Sequence, residues 1–373
     1  MTAARRNSSI SLYFHQNGLE INAAAFAEES FTEDSFLDSI RQTIRWWHGN
    51  NPWMEVTTSG STGKPHTIRF SRPQIQGSIA RSALALQLNS SQKALLCLDP
   101  KYIGGKMMLL RALQLGMDLI CVEPISNPLL KNLPSFDFTA LVPLQVDSIL
   151  ANPLTASRLK SIGTIIIGGA AINAQLEKTL VGSPNQIYQT YGMTETISHI
   201  ALRNLSQGES DFKALPGVTL SMDDRNCLVA TLPEFDKPVT TNDLIEITGT
   251  NQFRWLGRID HIINTGGVKV LPEVLEQKLS EAMKKFNPIT GFFFAGAPDD
   301  RLGEHVTMVI ECRQPNIPDR RLLIDSIQSA VSRFELPREI RRIDEFIKTP
   351  GGKLDRKASL AQSTTIIDSE TID

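Results

Sequence analysis

The chain has 373 residues, which exceeds one ordinary domain and predicts two. Its 38 Lys and Arg residues and 40 Asp and Glu residues leave a net charge of −2, so no bulk field favours nucleic acid as a partner. No apolar run is long enough to span a bilayer, and no signal-peptide core follows Arg5 and Arg6. We therefore expect a cytoplasmic protein without membrane insertion.

The first informative stretch is residues 57–65, which have the sequence Thr-Thr-Ser-Gly-Ser-Thr-Gly-Lys-Pro and precede a strand-like run at 67–70. Glycines let successive backbone N–H groups face inward, and hydroxyls and an ammonium add donors, so the stretch favours phosphate oxygens. A Walker loop does not fit, because Thr58 stands where the first glycine belongs and Pro65 follows Lys64. The alternatives are a different phosphate-binding loop or a flexible linker.

Apolar runs alternate with helix-like stretches between residues 74 and 180. Such alternation predicts an α/β fold in which helices cover both faces of a parallel sheet. Ligands of these sheets bind at the carboxyl ends of the strands. Two segments follow predicted strands in this way, at residues 168–171 and 191–196.

The second half of the chain differs in pattern. Residues 215–256 form short strand-like runs separated by turns, which predicts a small β subdomain. After a break in composition at 256–260, Pro272 opens a helix, and a later helix is expected to bury Phe334. We expect a separate α+β module with a frayed tail after Lys357. The predicted boundaries are an N-terminal domain at 1–257, a hinge at 258–260 and a C-terminal domain at 261–373.

The cysteines stand singly in apolar runs, at Cys97, Cys121, Cys227 and Cys312. None belongs to a Cys-x-x-Cys pair, so neither a disulfide framework nor a cysteine metal site is expected. We predict buried, reduced thiols.

A series of motifs occurs in the order that is typical of the acyl-adenylate-forming (AMP-binding) superfamily, and the chain resembles its acyl-CoA synthetases, adenylation domains and luciferases. The motifs lie at 58–65, 191–196, 241–243, 257–276 and 350–357. Each is weak alone, but the ordered set is specific and covers most of the chain. The resemblance implies a large adenylating domain and a smaller mobile one. It also implies that a carboxylate and ATP give acyl-AMP and pyrophosphate, after which a thiol attacks.

The resemblance also implies residue roles. Lys353 is the expected catalytic lysine, Thr194 would bond the α-phosphate, and Glu195 would hold Mg²⁺. The residues expected to bind ATP or AMP are Thr58, Ser59, Gly60, Ser61, Thr62, Gly63, Lys64, Gly169, Ala170, Gln189, Tyr191, Gly192, Met193, Asp243 and Arg258. Within this set, Tyr191 would stack on adenine, Gln189 would bond its amino group, and Asp243 would accept the ribose hydroxyls.

The C-terminal domain would rotate between half-reactions about Asp260, bringing Gly266 and Gly267 to CoA. The motifs depart from the family pattern in two residues. His66 stands where a lysine is usual, and Asn242 replaces a glycine in an expected turn, where asparagine tolerates a positive φ. The N-terminal subdomain is also shorter than is usual in the family.

The stretch at 99–106 offers cations where amino-acid-specific adenylation domains place an aspartate. The cations that could face a second carboxylate are Lys101, Lys106, Arg111, His199 and Arg203. Together with the compact length, this stretch and residues 191–199 resemble the o-succinylbenzoate–CoA ligases of menaquinone biosynthesis. That resemblance implies that 2-succinylbenzoate, ATP and CoA give 2-succinylbenzoyl-CoA, AMP and pyrophosphate.

Three alternatives stay open at this point. The chain could ligate another acyl or aryl acid to CoA, load a carrier-protein thiol, or bind nucleotide without catalysis. The presence of both Lys353 and Glu195 argues against the last. The expected partners are a small carboxylic acid, ATP and CoA, and a homodimer is among the assemblies that the sequence allows.

Overall fold

The computed structural model describes residues 23–28, 31–33, 35–57, 66–313, 320–349 and 354–367. They divide into two compact units. The first comprises the described residues up to 220 together with 230–239 and 249–252, and the second comprises 221–229, 240–248 and the described residues from 253 onward. The predicted domain limits and hinge stay a prediction, because compactness does not test mobility.

Helices and strands alternate through the first unit. Its helices are α1 (Ala23–Glu28), α2 (Phe36–His48), α3 (Arg72–Leu86), α4 (Ile103–Leu115), α5 (Pro143–Leu150), α6 (Pro153–Lys160) and α7 (Ala174–Leu180). Its strands are β1 (Trp53–Thr57), β2 (Thr67–Ser71), β3 (Lys93–Leu96), β4 (Asp118–Cys121), β5 (Phe138–Leu141), β6 (Thr164–Ile167), β7 (Gln186–Gly192), β8 (His199–Asn204) and β9 (Phe212–Ala214).

Local sequence signals define the start of α3. The Ser71 hydroxyl accepts the backbone N–H of Gln74 at 3.4 Å, and the Gln74 side chain accepts the Ser71 N–H at 2.8 Å. Pro73 lies in the first turn, where a missing N–H costs little. This reciprocal capping ends β2 and begins the helix within one residue.

The central sheet of the first unit has parallel strands in the order β4-β3-β5-β6-β7, followed by antiparallel β8 and β9. Adjacent residues of one strand enter different cores, since Leu96 packs with side chains of α2–α4 and Leu95 packs with those of α5–α7. Burial on both faces explains the uninterrupted apolar runs. The predicted α/β class is confirmed.

The strand order also positions a site. Strand β4 lies on one side of β3 in the sheet, and the next strand in sequence, β5, lies on the opposite side of β3. The direction in which strands are added to the sheet therefore reverses at β3. Ligands of open parallel sheets bind outside the carboxyl ends of the strands near such a reversal. The first turn of α4 and the segments that follow β5, β6 and β7 lie at this edge.

The remaining strands follow two arrangements. Strands β10 (Thr219–Met222), β11 (Cys227–Thr231), β12 (Val239–Gly249) and β13 (Gln252–Arg258) are neighbours in chain order. The other strands are β14 (Ile263–Thr265), β15 (Val268–Val270), β16 (Gly291–Asp299), β17 (Gly303–Glu311), β18 (Glu339–Ile343) and β19 (Thr364–Ile367). These last strands form a mixed sheet in which β17 and β18 are parallel. Helices α8 (Pro272–Met283) and α9 (Arg320–Ala330) pack on it through a common core, and α10 (Arg356–Gln362) precedes β19.

Two predictions for the second unit were wrong. Phe334 lies beyond the end of α9, and its side chain is 63% exposed. The chain after Lys357 continues as α10 and then as β19, which pairs with β18. Both errors have the same cause. The spacing of apolar residues along a segment does not show which distant part of the chain the segment packs against or pairs with.

The cysteines are buried and free, as predicted. Burial raises the pKa of the Cys97 thiol to about 12, so it stays protonated and unreactive at neutral pH. Among the described residues, no helix has both the length and the apolar character that crossing a membrane requires.

Candidate active site

Residues 191–196 leave the parallel sheet at the end of β7. The pairing of β7 with β8 shifts between Tyr191 and Gly192, which forms a β-bulge and sets Gly192 opposite His199. A Cβ on Gly192 would lie 2.6 Å from the Cα of His199, closer than side chains approach. Only glycine fits there, and the bulge redirects the segment that carries Thr194 and Glu195.

Thr196 holds that segment in a tight turn. Its buried hydroxyl accepts the backbone N–H of Met193 at 3.0 Å and donates to the carbonyl of Ser198 at 2.8 Å. Ile197 follows at φ +69°, a region that β-branched residues rarely adopt, so the turn is strained. The turn leaves Thr194 half-buried and the Glu195 carboxylate exposed.

The segment after β6 lies beside this turn. Ile167 pairs with Gln189, so residues 168–170 and the end of β7 leave the sheet next to each other. The Tyr191 ring packs against Phe212, with the centroids 5.7 Å apart. Strand order thus brings together the predicted adenine-binding residues, whose role stays a prediction.

Gln189 and Arg203 belong to one polar network. Arg203 donates to Gln189 Oε1 at 2.6 Å and to both carboxylate oxygens of Glu177, at 3.0 and 2.8 Å. The negative charge of Glu177 therefore neutralises that of Arg203. Little positive charge remains at Arg203 to attract a substrate carboxylate. Gln189 Oε1 already accepts one hydrogen bond and has one lone pair left for an adenine amino group.

Lys106 lies in the first turn of α4 and lines a cleft of about 400 Å³ with Trp46 and Trp53. Burial lowers the pKa of Lys106, and the charge of Asp99 acts in the opposite direction. A cleft of this size suits a small molecule, and Lys106 supplies a cation to it. Lys101 is exposed just before the helix.

His199 is not the cation that the sequence suggested. Its Nε2 lies 3.0 Å from the Ser82 hydroxyl, and its Nδ1 lies 3.3 Å from the Ser198 hydroxyl. Burial lowers the pKa of His199 to about 3, and the charges of Arg111 and Arg81 add to the shift. The imidazole is therefore neutral at neutral pH and can offer only hydrogen bonds.

In the second unit, Arg258 links the predicted ribose acceptor to the predicted hinge. It donates to both oxygens of Asp260, at 2.9 and 2.8 Å, and its Nη1 lies 3.9 Å from Asp243 Oδ1. Burial would raise the pKa of Asp260, but the hydrogen bonds from Arg258 outweigh it and leave the pKa below its ordinary value. The expected turn at Asn242 was wrong, because the residue lies inside β12 without a positive φ.

Gly266 and Gly267 form the two-residue turn between β14 and β15, across which Thr265 pairs with Val268. Their φ values of +57° and +85° are typical of a type I′ hairpin. The hairpin requires both glycines whether or not CoA binds there.

One ion pair that anchors the C-terminal part of the second unit was not predicted from the sequence. Arg356 forms a bidentate ion pair with Glu276 of α8, in which Nη2 lies 2.9 Å from Glu276 Oε2. Arg356 also donates to the carbonyl of Phe294 at 3.0 Å. Both residues fell within recognised motifs, but only the fold shows that they pair. The pair fixes the chain that directly follows Lys353.

Several predicted residues lie outside the described ranges, namely Thr58, Ser59, Gly60, Ser61, Thr62, Gly63, Lys64 and Lys353. The flanks of the stretch predicted to bind phosphate lie within the described residues. Thr57 pairs with Thr67 at one end of the β1–β2 hairpin, so the stretch begins and ends at neighbouring positions.

Comparison with known proteins decides the family. Residues 6–227, more than half of the chain, match the family model described as AMP-binding enzyme. The chain belongs to the AMP-binding enzyme family. A solved acyl-CoA synthetase (AMP-forming)/AMP-acid ligase II-like protein from Dyadobacter fermentans is 35% identical, with 91% of this chain and 98% of that one covered and a TM-score of 0.60.

Two further proteins have lower sequence identity to this chain. A probable 2-succinylbenzoate–CoA ligase from Mycobacterium tuberculosis is 26% identical over 329 residues, covering 81% of this chain and 82% of its own. The o-succinylbenzoate CoA synthetase of Bacillus subtilis, in complex with its acyl-adenylate intermediate, has a TM-score of 0.71. It is 19% identical, with 83% of this chain and 69% of that one covered, and at this identity it shows the fold alone. The chain is thus an ATP-dependent AMP-forming acid ligase of this family.

The AMP-binding family implies Mg²⁺, and the Glu195 carboxylate fits that demand. It is exposed, and within the described part of the chain it has no hydrogen-bond or ion-pair partner. Mg²⁺ usually binds one or two carboxylates together with substrate phosphates and water. No group of three or more His, Cys, Asp or Glu residues in the described ranges could hold a metal by itself, so the nucleotide would supply the remaining ligands.

We expect Thr196→Val to lower the rate of acyl-AMP formation about tenfold, because it removes the hydrogen bonds that hold Thr194 and Glu195 in their turn. Single-turnover measurement of acyl-AMP would show this. The control is Thr179→Val, since the Thr179 hydroxyl donates only to its own helix, at Gln175. Equal rates in the two variants would contradict a positioning role for Thr196.

Proposed function

We propose that the chain is a 2-succinylbenzoate–CoA ligase that acts through an acyl-AMP intermediate. The observation that carries the proposal is the turn at 193–198, which presents Thr194 and Glu195 beside the segment after β6, at the sheet edge where ligands bind. The similarity over most of both chains to a probable ligase of this specificity supports the choice of acid.

In the first half-reaction, a carboxylate oxygen of the acid attacks the α-phosphorus of ATP, and the bond to pyrophosphate breaks. Thr194 would donate to an α-phosphate oxygen, and Glu195 would hold Mg²⁺. The stretch at 58–64 would bind the β- and γ-phosphates. Lys353 would place its charge between the carboxylate and the α-phosphate, so the chain contributes mainly positioning and charge stabilisation.

In the second half-reaction, the CoA thiolate attacks the acyl carbon and AMP leaves. Rotation about Asp260 would withdraw Lys353 and bring the Gly266-Gly267 hairpin to CoA. The paired hydrogen bonds from Arg258 to Asp260 would have to rearrange during this motion. That requirement makes Arg258 a residue on which the rate of the switch depends.

A panel of acids tests the proposed function. Pyrophosphate release is measured for 2-succinylbenzoate, benzoate, a long-chain fatty acid and an amino acid, each with and without CoA. We expect the highest kcat/KM with 2-succinylbenzoate and faster AMP release when CoA is present. A preference for the fatty acid would contradict the substrate, and turnover only with a carrier-protein thiol would contradict the acceptor.

A further inference from the structure

Glu273, in the first turn of α8, has no role in the site described above. It belongs to the second unit, and only 9% of its side chain is exposed. His261 directly follows the predicted hinge, and its Nδ1 lies 2.5 Å from Glu273 Oε1. Nη2 of Arg356 lies 3.5 Å from the same oxygen. One carboxylate therefore contacts both the chain after the hinge and the first residue of α10.

The Glu273 carboxylate is ionised at neutral pH. Burial would raise the pKa of Glu273, but the hydrogen bond from His261 and the charge of Arg356 outweigh burial and leave the pKa below its ordinary value. An ionised carboxylate only accepts hydrogen bonds, so His261 Nδ1 donates. Hydrogen bonds to an ionised acceptor are stronger than neutral ones, so these contacts restrict the positions of His261 and Arg356.

The second oxygen of Glu273 faces the chain before the hinge. A Cβ on Gly257 would lie 2.5 Å from Glu273 Oε2, so this oxygen packs against the Gly257 backbone. Oε2 is buried, and within the described ranges it has no hydrogen-bond partner. The side chains that the carboxylate binds, His261 and Arg356, both lie after the hinge. Rotation about Asp260 would therefore keep these contacts and separate Oε2 from Gly257.

Arg356 extends this restraint to the predicted catalytic lysine. Lys348 forms a β-bridge with Leu354, so the two ends of the stretch that contains Lys353 lie side by side. Arg356 follows this bridge by two residues. A contact that fixes Arg356 relative to His261 therefore also fixes the ends of this stretch relative to the hinge.

We propose that Glu273 is a positioning residue for the adenylation step, because it holds His261 and Arg356 together and so sets where the stretch with Lys353 stands relative to the hinge. This inference rests on the proposed function, in which Lys353 acts on the α-phosphate. Thiol transfer does not need the restraint. Strand β14 begins two residues after His261, so the hairpin predicted to meet CoA stays joined to the hinge without Glu273.

The test measures each half-reaction of Glu273→Gln in single-turnover assays, with the acid of the panel that the wild type uses best. The change keeps the shape of the side chain and removes its charge. Acyl-AMP formation should fall about tenfold, whereas transfer from preformed acyl-AMP to CoA should stay near the wild-type rate. The inference is overturned if acyl-AMP formation falls no more than transfer does.

A carboxylate elsewhere in the second unit provides the matched control. Glu339 lies 3.5 Å from His305 Nε2 and 3.6 Å from Arg341 Nη1, so it has the same kinds of partner, but it lies on β18. Glu339→Gln should leave both half-reactions near the wild-type rates. The same selective loss in this control would count against a specific role for Glu273.

A double variant shows whether Glu273 acts through the lysine. In the Lys353→Ala background, Glu273→Gln should cause no further loss of acyl-AMP formation, because the group that it positions is already absent. A further loss of more than threefold would show that Glu273 affects the step independently of Lys353, and the inference would be wrong.

Hydrogen exchange on the full chain without substrates tests the restraint apart from the ligase activity. Glu273→Gln should speed exchange at both 258–262 and 354–362, and Glu339→Gln should leave both segments unchanged. Faster exchange at only one of these segments, or at neither, would overturn the inference. If the wild type forms acyl-AMP with no acid of the panel, the ligase proposal fails, and the exchange result alone decides whether Glu273 joins the hinge to α10.

Discussion

Replacing Lys353 by alanine is expected to lower the rate of acyl-AMP formation about 100- to 1,000-fold, which is the loss typical when one preorganised charge is removed from a developing anion. The same variant should still transfer the acyl group from preformed acyl-AMP to CoA at near the wild-type rate, because that step breaks the bond between the acyl carbon and the AMP oxygen and makes no new bond at phosphorus. Quenched single-turnover assays of each half-reaction measure the two rates separately.

The matched control for this prediction is Lys357→Ala. Lys357 is an exposed lysine on α10, four residues after Lys353, so it carries the same charge on the same segment. We expect both half-reactions to be nearly unchanged in this control. An equal loss of both half-reactions in Lys353→Ala would show that the lysine supports the fold or general binding instead of the adenylation step.

The second large effect is expected at the ion pair between Arg356 and Glu276. Glu276→Gln should destabilise the region by about 2 kcal/mol, because it weakens the charge-assisted hydrogen bonds of the half-buried Arg356 guanidinium and leaves Glu273, 3.5 Å from Nη2, as the remaining counter-charge. Since α10 begins three residues after Lys353, acyl-AMP formation should also fall. Hydrogen exchange at residues 354–367, measured by mass spectrometry on the full chain, should become faster in the variant.

A second pair on the same helix provides the control. Lys278 of α8 pairs with Glu335 at 2.7 Å, but the pair is more exposed, so Lys278→Met should change exchange and activity little. A double-mutant cycle with Arg356→Met separates the pair from its surroundings. Additive effects of Glu276→Gln and Arg356→Met would contradict coupling between them.

Part of the fold followed from local patterns in the chain. Uninterrupted apolar runs predicted buried parallel strands, and the capping residues around Ser71 explain the start of α3. The segment at 191–196 was also recognisable, because its glycine, threonine and glutamate lie within four consecutive residues. Each of these features depends on a few residues that are close together in sequence, so it can be recognised from the sequence alone.

Long-range pairing was not predictable in the same way. Strand β19 pairs Ile367 with Ile340, 27 residues earlier. Its residues, Thr364–Ile367, are all β-branched and suit a strand, but a run of four residues does not show which strand it pairs with. The exposure of Phe334 is the converse case, an apolar residue at helical spacing that lies beyond the helix. The pairing of β19 and the exposure of Phe334 both depend on which residues, far apart in sequence, come into contact in the fold.

The α/β class, the order of the motifs and the residue types that phosphate and carboxylate chemistry require could all be inferred from the sequence. The charges that those residues carry and the partners that they have depend on the tertiary structure. His199 is neutral because the fold buries it beside two arginines, and Arg203 is matched because Glu177 lies against it. Arg111 has no counter-charge in the described chain for the same physical reason, since burial and ion pairing depend on residues far apart in sequence.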